Sequence, residues 1–168
     1  NQIGLGWELT YFDQEIRDSI IYSYNPAVFA GGYIQVPGKS EFTGIEASAT
    51  WSISGNLTLE GFVTDLSAED ASGNQLPYRP ETTAQVTARF SGDKTQWLLL
   101  ARYTGDRDDG LGTVLSKYTV MDGSFSYTIT RDLSISVRAE NLTNEAYSDI
   151  VGYRTAGRTL YLGVNVSI

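Results

Sequence analysis

The sequence has no cysteine, no histidine and a single methionine in 168 residues. Without cysteine there are no disulfides and no thiolate metal sites. Without histidine the usual general base and the commonest metal ligand are missing, so the nucleophile and base pairing of barrel lipases and proteases is unavailable and no enzyme is expected. Basic charge is scarce too. Twelve Lys and Arg stand against twenty Asp and Glu, a net charge of −8, and no run of Lys or Arg offers a footprint for nucleic acid. The longest strongly apolar run, Trp97 to Ala101, is far short of the roughly 20 residues a membrane helix needs. Such a chain meets a bilayer only as strands. Asn1-Gln2-Ile3-Gly4 carries neither the charged nor the apolar region of a signal peptide, so a leader is expected to have been removed or the chain to be a piece of a longer one.

What is abundant is aromatic and glycine: three Trp, eleven Tyr, six Phe and seventeen Gly, a composition that favours strands over helices. The pattern is plainest in Gly157 to Ile168, where Leu160, Leu162, Val164, Val166 and Ile168 alternate with Thr159, Tyr161, Gly163, Asn165 and Ser167. A period of two makes a strand with one apolar and one wettable face. The same alternation runs through Ile45 to Ile53, Leu57 to Val63, Ala84 to Phe90, Trp97 to Tyr103, Met121 to Ile129 and Leu133 to Ala139. Ser54-Gly55-Asn56, Ser91 to Lys94 and Thr130-Arg131-Asp132 read as tight turns. From Leu5 to Tyr24 the apolar positions change parity near Phe12. One long strand with a bulge at Phe12 or Asp13 is expected, with two strands joined at Asp13 to Glu15 as the other reading. Asn25 to Gly38 reads as a loop with a short extended piece at Tyr33 to Val36.

Connections therefore alternate, with every tight turn at one end of about eight antiparallel strands and every long loop at the other. Outer-membrane barrels have short periplasmic turns and longer extracellular loops, whereas a Greek-key sandwich mixes its connections. Charge placement agrees, because an Arg or Lys facing lipid at mid-bilayer costs roughly 2 to 4 kcal/mol. Glu46, Glu60, Arg89, Arg102, Asp122, Arg138 and Glu140 all fall on the polar parity. Trp7, Trp51 and Trp97 lie near the tight-turn end, where an interfacial aromatic girdle belongs. The fold class is all-β, the strands of an antiparallel transmembrane barrel.

The segment NLTNEAYSDIVGYRTAGRTLYLGVNVSI resembles the carboxy-terminal end of TonB-dependent outer-membrane receptors, in which Asn-Leu precedes a Tyr and a final strand led by Gly-Arg. Here those positions are Asn141, Leu142, Tyr147, Gly157 and Arg158, and the GYRTAGR run is most similar to the cobalamin and siderophore branch. The YFDQEIRDSI segment, the Thr43-Gly44-Ile45-Glu46 entry and the Tyr78-Arg79-Pro80 entry are similar to the same family in the same order. The resemblance implies a receptor in the bacterial outer membrane that imports a metal chelate, either a ferric siderophore or cobalamin. It implies a barrel of about 22 strands with a plugged lumen, so residues 1–168 would be the carboxy-terminal portion, without the plug through which TonB acts. It also implies that the barrel-assembly machinery reads Leu160, Leu162, Val164, Val166 and Ile168, although the family pattern ends in an aromatic residue and this chain in Ile168. The alternative of another class is a self-closed eight-stranded barrel with a structural or adhesive role, and a soluble sandwich is a third reading.

Tyr33, Tyr78, Arg79, Arg107, Tyr153 and Arg154 lie in or beside the long loops, where arginines and aromatic faces can grip an anionic chelate. Asp106-Arg107-Asp108-Asp109-Gly110 offers carboxylates but not the spacing of a calcium loop, and reads as a solvated acidic loop. Glu46 and Glu60 are expected to meet Arg89 or Arg102 in ion pairs. No cofactor is expected.

Overall fold

The computed structural model describes residues 3–18, 20–25, 30–35 and 37–167. Each alternating stretch forms a strand, and among the described residues there is no helix: β1 Gly4–Arg17, β2 Ile20–Asn25, β3 Ala30–Gln35, β4 Lys39–Ser52, β5 Leu57–Glu69, β6 Thr82–Ser91, β7 Thr95–Thr104, β8 Arg107–Asp108, β9 Val114–Leu115, β10 Tyr118–Thr128, β11 Leu133–Glu140 and β12 Thr159–Val166. Eight of them make one antiparallel sheet in the order β1-β4-β5-β6-β7-β10-β11-β12. The hairpins β2–β3 and β8–β9 are separate two-stranded pieces borne on the long connections. The tight turns line up at one end, where the Ser91 amide donates to the Asn56 carbonyl, Thr128 to Lys94 and Ser167 to Asp132.

Residues directly opposite in a ladder point to the same face, so the register sorts every side chain. Across the sheet Leu5 faces Trp51, Trp51 faces Leu59, Leu59 faces Ala88, Ala88 faces Leu99, Leu99 faces Gly123, Gly123 faces Ala139 and Ala139 faces Leu160. That is one continuous apolar face. Its large side chains, among them Trp7, Trp51, Val86, Leu99 and Leu162, are exposed, and among the described residues no second layer covers them. Near the turn end the Phe90 and Trp97 rings stack at 5.7 Å. On the other face Thr58, Arg89, Leu98, Ser124, Arg138 and Tyr161 form one row. Arg89 pairs with Glu60 at 3.4 Å, Arg102 with Asp122 at 3.0 Å, and Arg138 with Glu140. These pairs link neighbouring rows of that face. Glu60 thus meets Arg89 as expected, while Glu46 lies opposite Thr10 and Thr64 and beside neither arginine.

The first strand corrects the sequence reading. β1 pairs with β4 in unbroken register from Gly4↔Ser52 to Arg17↔Lys39, without a bulge at Phe12 or Asp13 and without a turn at Asp13 to Glu15. Phe12 is an apolar residue on the charged face, and it fits because position 44 is glycine. A Cβ there would meet the Phe12 ring at 2.7 Å and the Asp65 carbonyl at 2.3 Å. The break comes at Asp18, whose φ of 53° ends the strand while its amide donates to the Gly38 carbonyl at 2.8 Å. Residues 20–25 then pair with β3 in place of continuing β1. β4 and β5 also outrun their apolar bands. Glu15, Glu41 and Glu69 are aligned there on the parity of the apolar face, with Lys39 paired to Glu15 and Glu41.

Candidate functional site

Three of the four long connections interlock at the end of the sheet away from the tight turns. In residues 70–81, Asp70 accepts from the amides of Ser72 at 2.8 Å and Asn74 at 2.9 Å. Those bonds, the Asn74 amide first, hold its carboxyl below the usual carboxylate range. Tyr78 has a left-handed backbone, φ 58°, which turns its amide toward the Asp108 carbonyl at 2.7 Å. In residues 105–117 the acidic run serves its own loop. Asp106 accepts from the Lys117 amide at 2.7 Å, Asp108 from Gly110, and Asp109 from Leu111 and Thr113 at 2.8 and 2.9 Å. The Thr113 bond leads in lowering the Asp109 pKa. Carboxylates committed to amides in this way are loop caps.

Residues 141–158 give the Asn-Leu and Gly-Arg pattern its physical reason. Asn141 is buried with φ 50°. Its side chain donates to the carbonyls of Glu145 at 2.9 Å and Ala156 at 3.2 Å and accepts from the Glu145 amide at 2.8 Å, so it ties the start of the loop to its end. Asn144 accepts from the Arg158 amide at 3.0 Å. A Cβ at position 157 would lie 3.0 Å from that same Asn144 oxygen, which is why a glycine precedes Arg158.

The two last loops meet at Arg107. Its guanidinium donates to the Ser148 carbonyl at 2.7 Å, to Asp149 at 2.9 Å and more weakly to Gly105 at 3.4 Å, and lies 5.4 Å from the centre of the Tyr118 ring. Tyr118 donates to Asp149 at 2.7 Å, and its ring sits 4.1 Å from that of Tyr147. Beside this pair a cleft of about 550 Å³ is lined by Lys117, Tyr118, Glu145, Tyr147 and Arg154, among others. Tyr118 is opposite Thr104, on the parity of the charged face, so the cleft opens above that face.

Of the residues singled out from sequence, Arg154 lines the cleft. Arg107 does not present itself to a ligand, because its side chain is 4% exposed and fully engaged. Tyr153 is exposed on the turn closed by its amide and the Ile150 carbonyl. Tyr78 is half-buried against the neighbouring loop, Arg79 is exposed with its carbonyl bonded to Gln75, and Tyr33 is exposed on β3 opposite Tyr22. The structure does not bring these six together. Lys117 and Tyr118 were missed because they precede the alternating run that begins at Met121. Tyr147 was visible only as a position in the family pattern. Leu160, Leu162, Val164 and Val166 all stand exposed on the apolar face, and Ile168 lies outside the described residues.

The family model described as TonB dependent receptor-like, beta-barrel, matches residues 1–142. The vitamin B12 transporter BtuB of Vibrio cholerae is 28% identical over 96% of this chain and 27% of its own length. The ferric-catecholate import receptor Fiu from K12 E. coli superimposes with a TM-score of 0.74 at 26% identity, covering 96% of this chain and 25% of that one. The pyoverdine receptor FpvA from Pseudomonas aeruginosa PAO1 gives a TM-score of 0.78 at 18% identity over 98% of this chain and 27% of its own, a likeness of fold alone. The chain thus spans about a quarter of the length of the curated relatives it matches.

Proposed function

Because this chain belongs to the TonB-dependent receptor β-barrel family, we propose that it is the carboxy-terminal portion of a receptor that takes up a metal chelate, a corrinoid first and a ferric siderophore second. It is a bacterial outer-membrane barrel segment and not an enzyme. The apolar face is then the lipid face and the charged face lines the lumen. Among the described residues β1 and β12 do not pair with each other, which speaks against the self-closed small barrel. Unpaired backbone groups in hydrocarbon cost several kcal/mol each, so further strands of the same receptor cover both edges. The plug and its TonB contact belong to that remainder, and the outward Leu160, Leu162, Val164 and Val166 are what the barrel-assembly machinery reads.

The observation that carries the ligand reading is the cleft above the lumen wall, with two tyrosine faces and Lys117 and Arg154 partly offset by Glu145. Beside it Asp149 accepts from Arg107, and Asp106, Asp108 and Asp109 flank that arginine in the sequence. Such a rim suits a neutral or weakly anionic chelate better than a multiply anionic one, and the curated relative that aligns over nearly the whole chain is a vitamin B12 transporter. Titration of the complete purified receptor with cyanocobalamin and with an iron-loaded catecholate tests this. Tighter binding of cyanocobalamin, weakened about tenfold by Arg154→Ala in line with a lost charged hydrogen bond, is expected. Binding of the catecholate alone replaces the corrinoid reading with the siderophore one, and binding of neither overturns the uptake reading.

A further inference from the structure

We propose that Arg107 is a positioning residue that locks the β7–β10 and β11–β12 loops into one wall, so that the cleft beside Tyr118 and Tyr147 stands ready before any ligand arrives. Its binding consequence rests on the uptake reading above, but the lock itself does not. A guanidinium removed from water is tolerated only while its donors are satisfied. Here the two stronger acceptors, the Ser148 carbonyl and Asp149, come from the far loop, and the Gly105 carbonyl at 3.4 Å is the weaker one. If the far loop swung away, a cation with a 4% exposed side chain would lose its best partners. Asp149 is held by bonds and not by burial, since its side chain is 59% exposed while it accepts from both Arg107 and Tyr118. Tyr118 is thereby fixed at both ends, its hydroxyl on Asp149 and its ring against Tyr147. One residue further along, the Asp108 carbonyl accepts from Tyr78 and brings the β5–β6 loop into the same body.

A residue that holds the competent arrangement acts on how often the ligand finds it, whereas a residue that touches the ligand acts mainly on how fast the ligand leaves. That difference separates positioning from contact. In the complete receptor, spin labels at positions 111 and 153 report the loop separation without ligand. Both side chains are exposed, at 90% and 73%, and this chain has no cysteine to compete for the label. The wild type should give one narrow distance distribution and Arg107→Ala a broad one. If the competent population falls to about a tenth, cyanocobalamin should associate about tenfold more slowly with dissociation changed less than about twofold. Arg107→Lys keeps the charge opposite Asp149 but not the fork to Ser148, and should fall between. Should Arg107→Ala not assemble, Asp149→Asn and Tyr118→Phe each remove one bond of the same lock and carry the measurement. A distribution that stays narrow without the arginine, or a loss confined to dissociation, overturns the proposal. If cyanocobalamin does not bind the wild type, the corrinoid reading fails while the distance measurement still decides the lock.

Discussion

Replacing Leu162 by arginine places one charge where the facing assignment is most exposed to error. Leu162 is 84% exposed, stands opposite Val137 on the apolar face, and is the second of the four outward residues of β12 from the loop end. With a rise of about 3.3 Å per residue and a tilt near 45°, it sits roughly 10 Å above Val166, close to the middle of an apolar band about 25 Å tall. An arginine there costs about 2 to 4 kcal/mol, and about 3 kcal/mol corresponds to a folding equilibrium weakened about 150-fold. Asn165, on the same strand, lies opposite Ser134 on the charged face, and Asn165→Arg should change stability by less than about 0.5 kcal/mol, as at an ordinary solvated position. Refolding of the complete receptor from urea into lipid vesicles reads both values from the transition midpoints. Equal losses for the two variants would refute the facing assignment, and a larger loss for Asn165→Arg would reverse it.

Gly44→Ala sets a new methyl 2.3 Å from the Asp65 carbonyl, which is backbone and cannot yield, as well as 2.7 Å from Phe12; a loss of about 1 to 3 kcal/mol is expected in the same refolding assay, and trimming Phe12 to leucine should not restore it. Asn141→Ala removes the side-chain bonds that close residues 141–158 and puts alanine at φ 50°, so trypsin should cleave after Arg154 and Arg158 many times faster while the barrel melts almost as before. Asp109, held below the usual carboxylate range by the Thr113 and Leu111 amides, contributes its bonds fully above its unfolded pKa and loses them as pH falls through its depressed folded value. Hydrogen-exchange protection of Leu111 and Thr113 should therefore persist below the ordinary carboxylate pKa and be lost only in more acid solution, and Asp109→Asn should abolish that step.

The membrane-facing half of the fold was open to reading because lipid imposes its condition locally. Wherever a strand crosses the bilayer, one parity must be apolar and the other is free to carry charge, and Leu59, Leu99, Gly123 and Leu162 with their charged-face neighbours Glu60, Arg89, Asp122 and Arg138 obey that rule residue by residue. Beyond the bilayer the condition lapses. The upper ends of β4 and β5 carry charge on the parity that is apolar lower down, and β2 opens with two adjacent isoleucines, so alternation could not mark where β1 stops. That boundary is set by a backbone angle at Asp18 and a hydrogen bond to Gly38, twenty residues away. Phe12 misled for the related reason that a lumen-side aromatic over a glycine looks, in one dimension, like a slipped register.

The loop site was less legible because its parts act through separation. Arg107 reads as one exposed cation in an acidic run until Ser148 and Asp149, more than forty residues on, remove it from solvent. The same contacts explain why the cleft did not assemble from the loop residues with the most suggestive chemistry. Tyr33, Arg79 and Tyr153 are exposed, whereas Tyr118 and Tyr147 are oriented by the contacts that join the two last loops. A receptor loop can satisfy a buried guanidinium or leave it free to bind ligand, and one arginine does not do both. In this chain the arginine that lines the cleft is Arg154, and the roles divide in the proposed reading: Arg107 sets the wall, and Arg154 meets what enters.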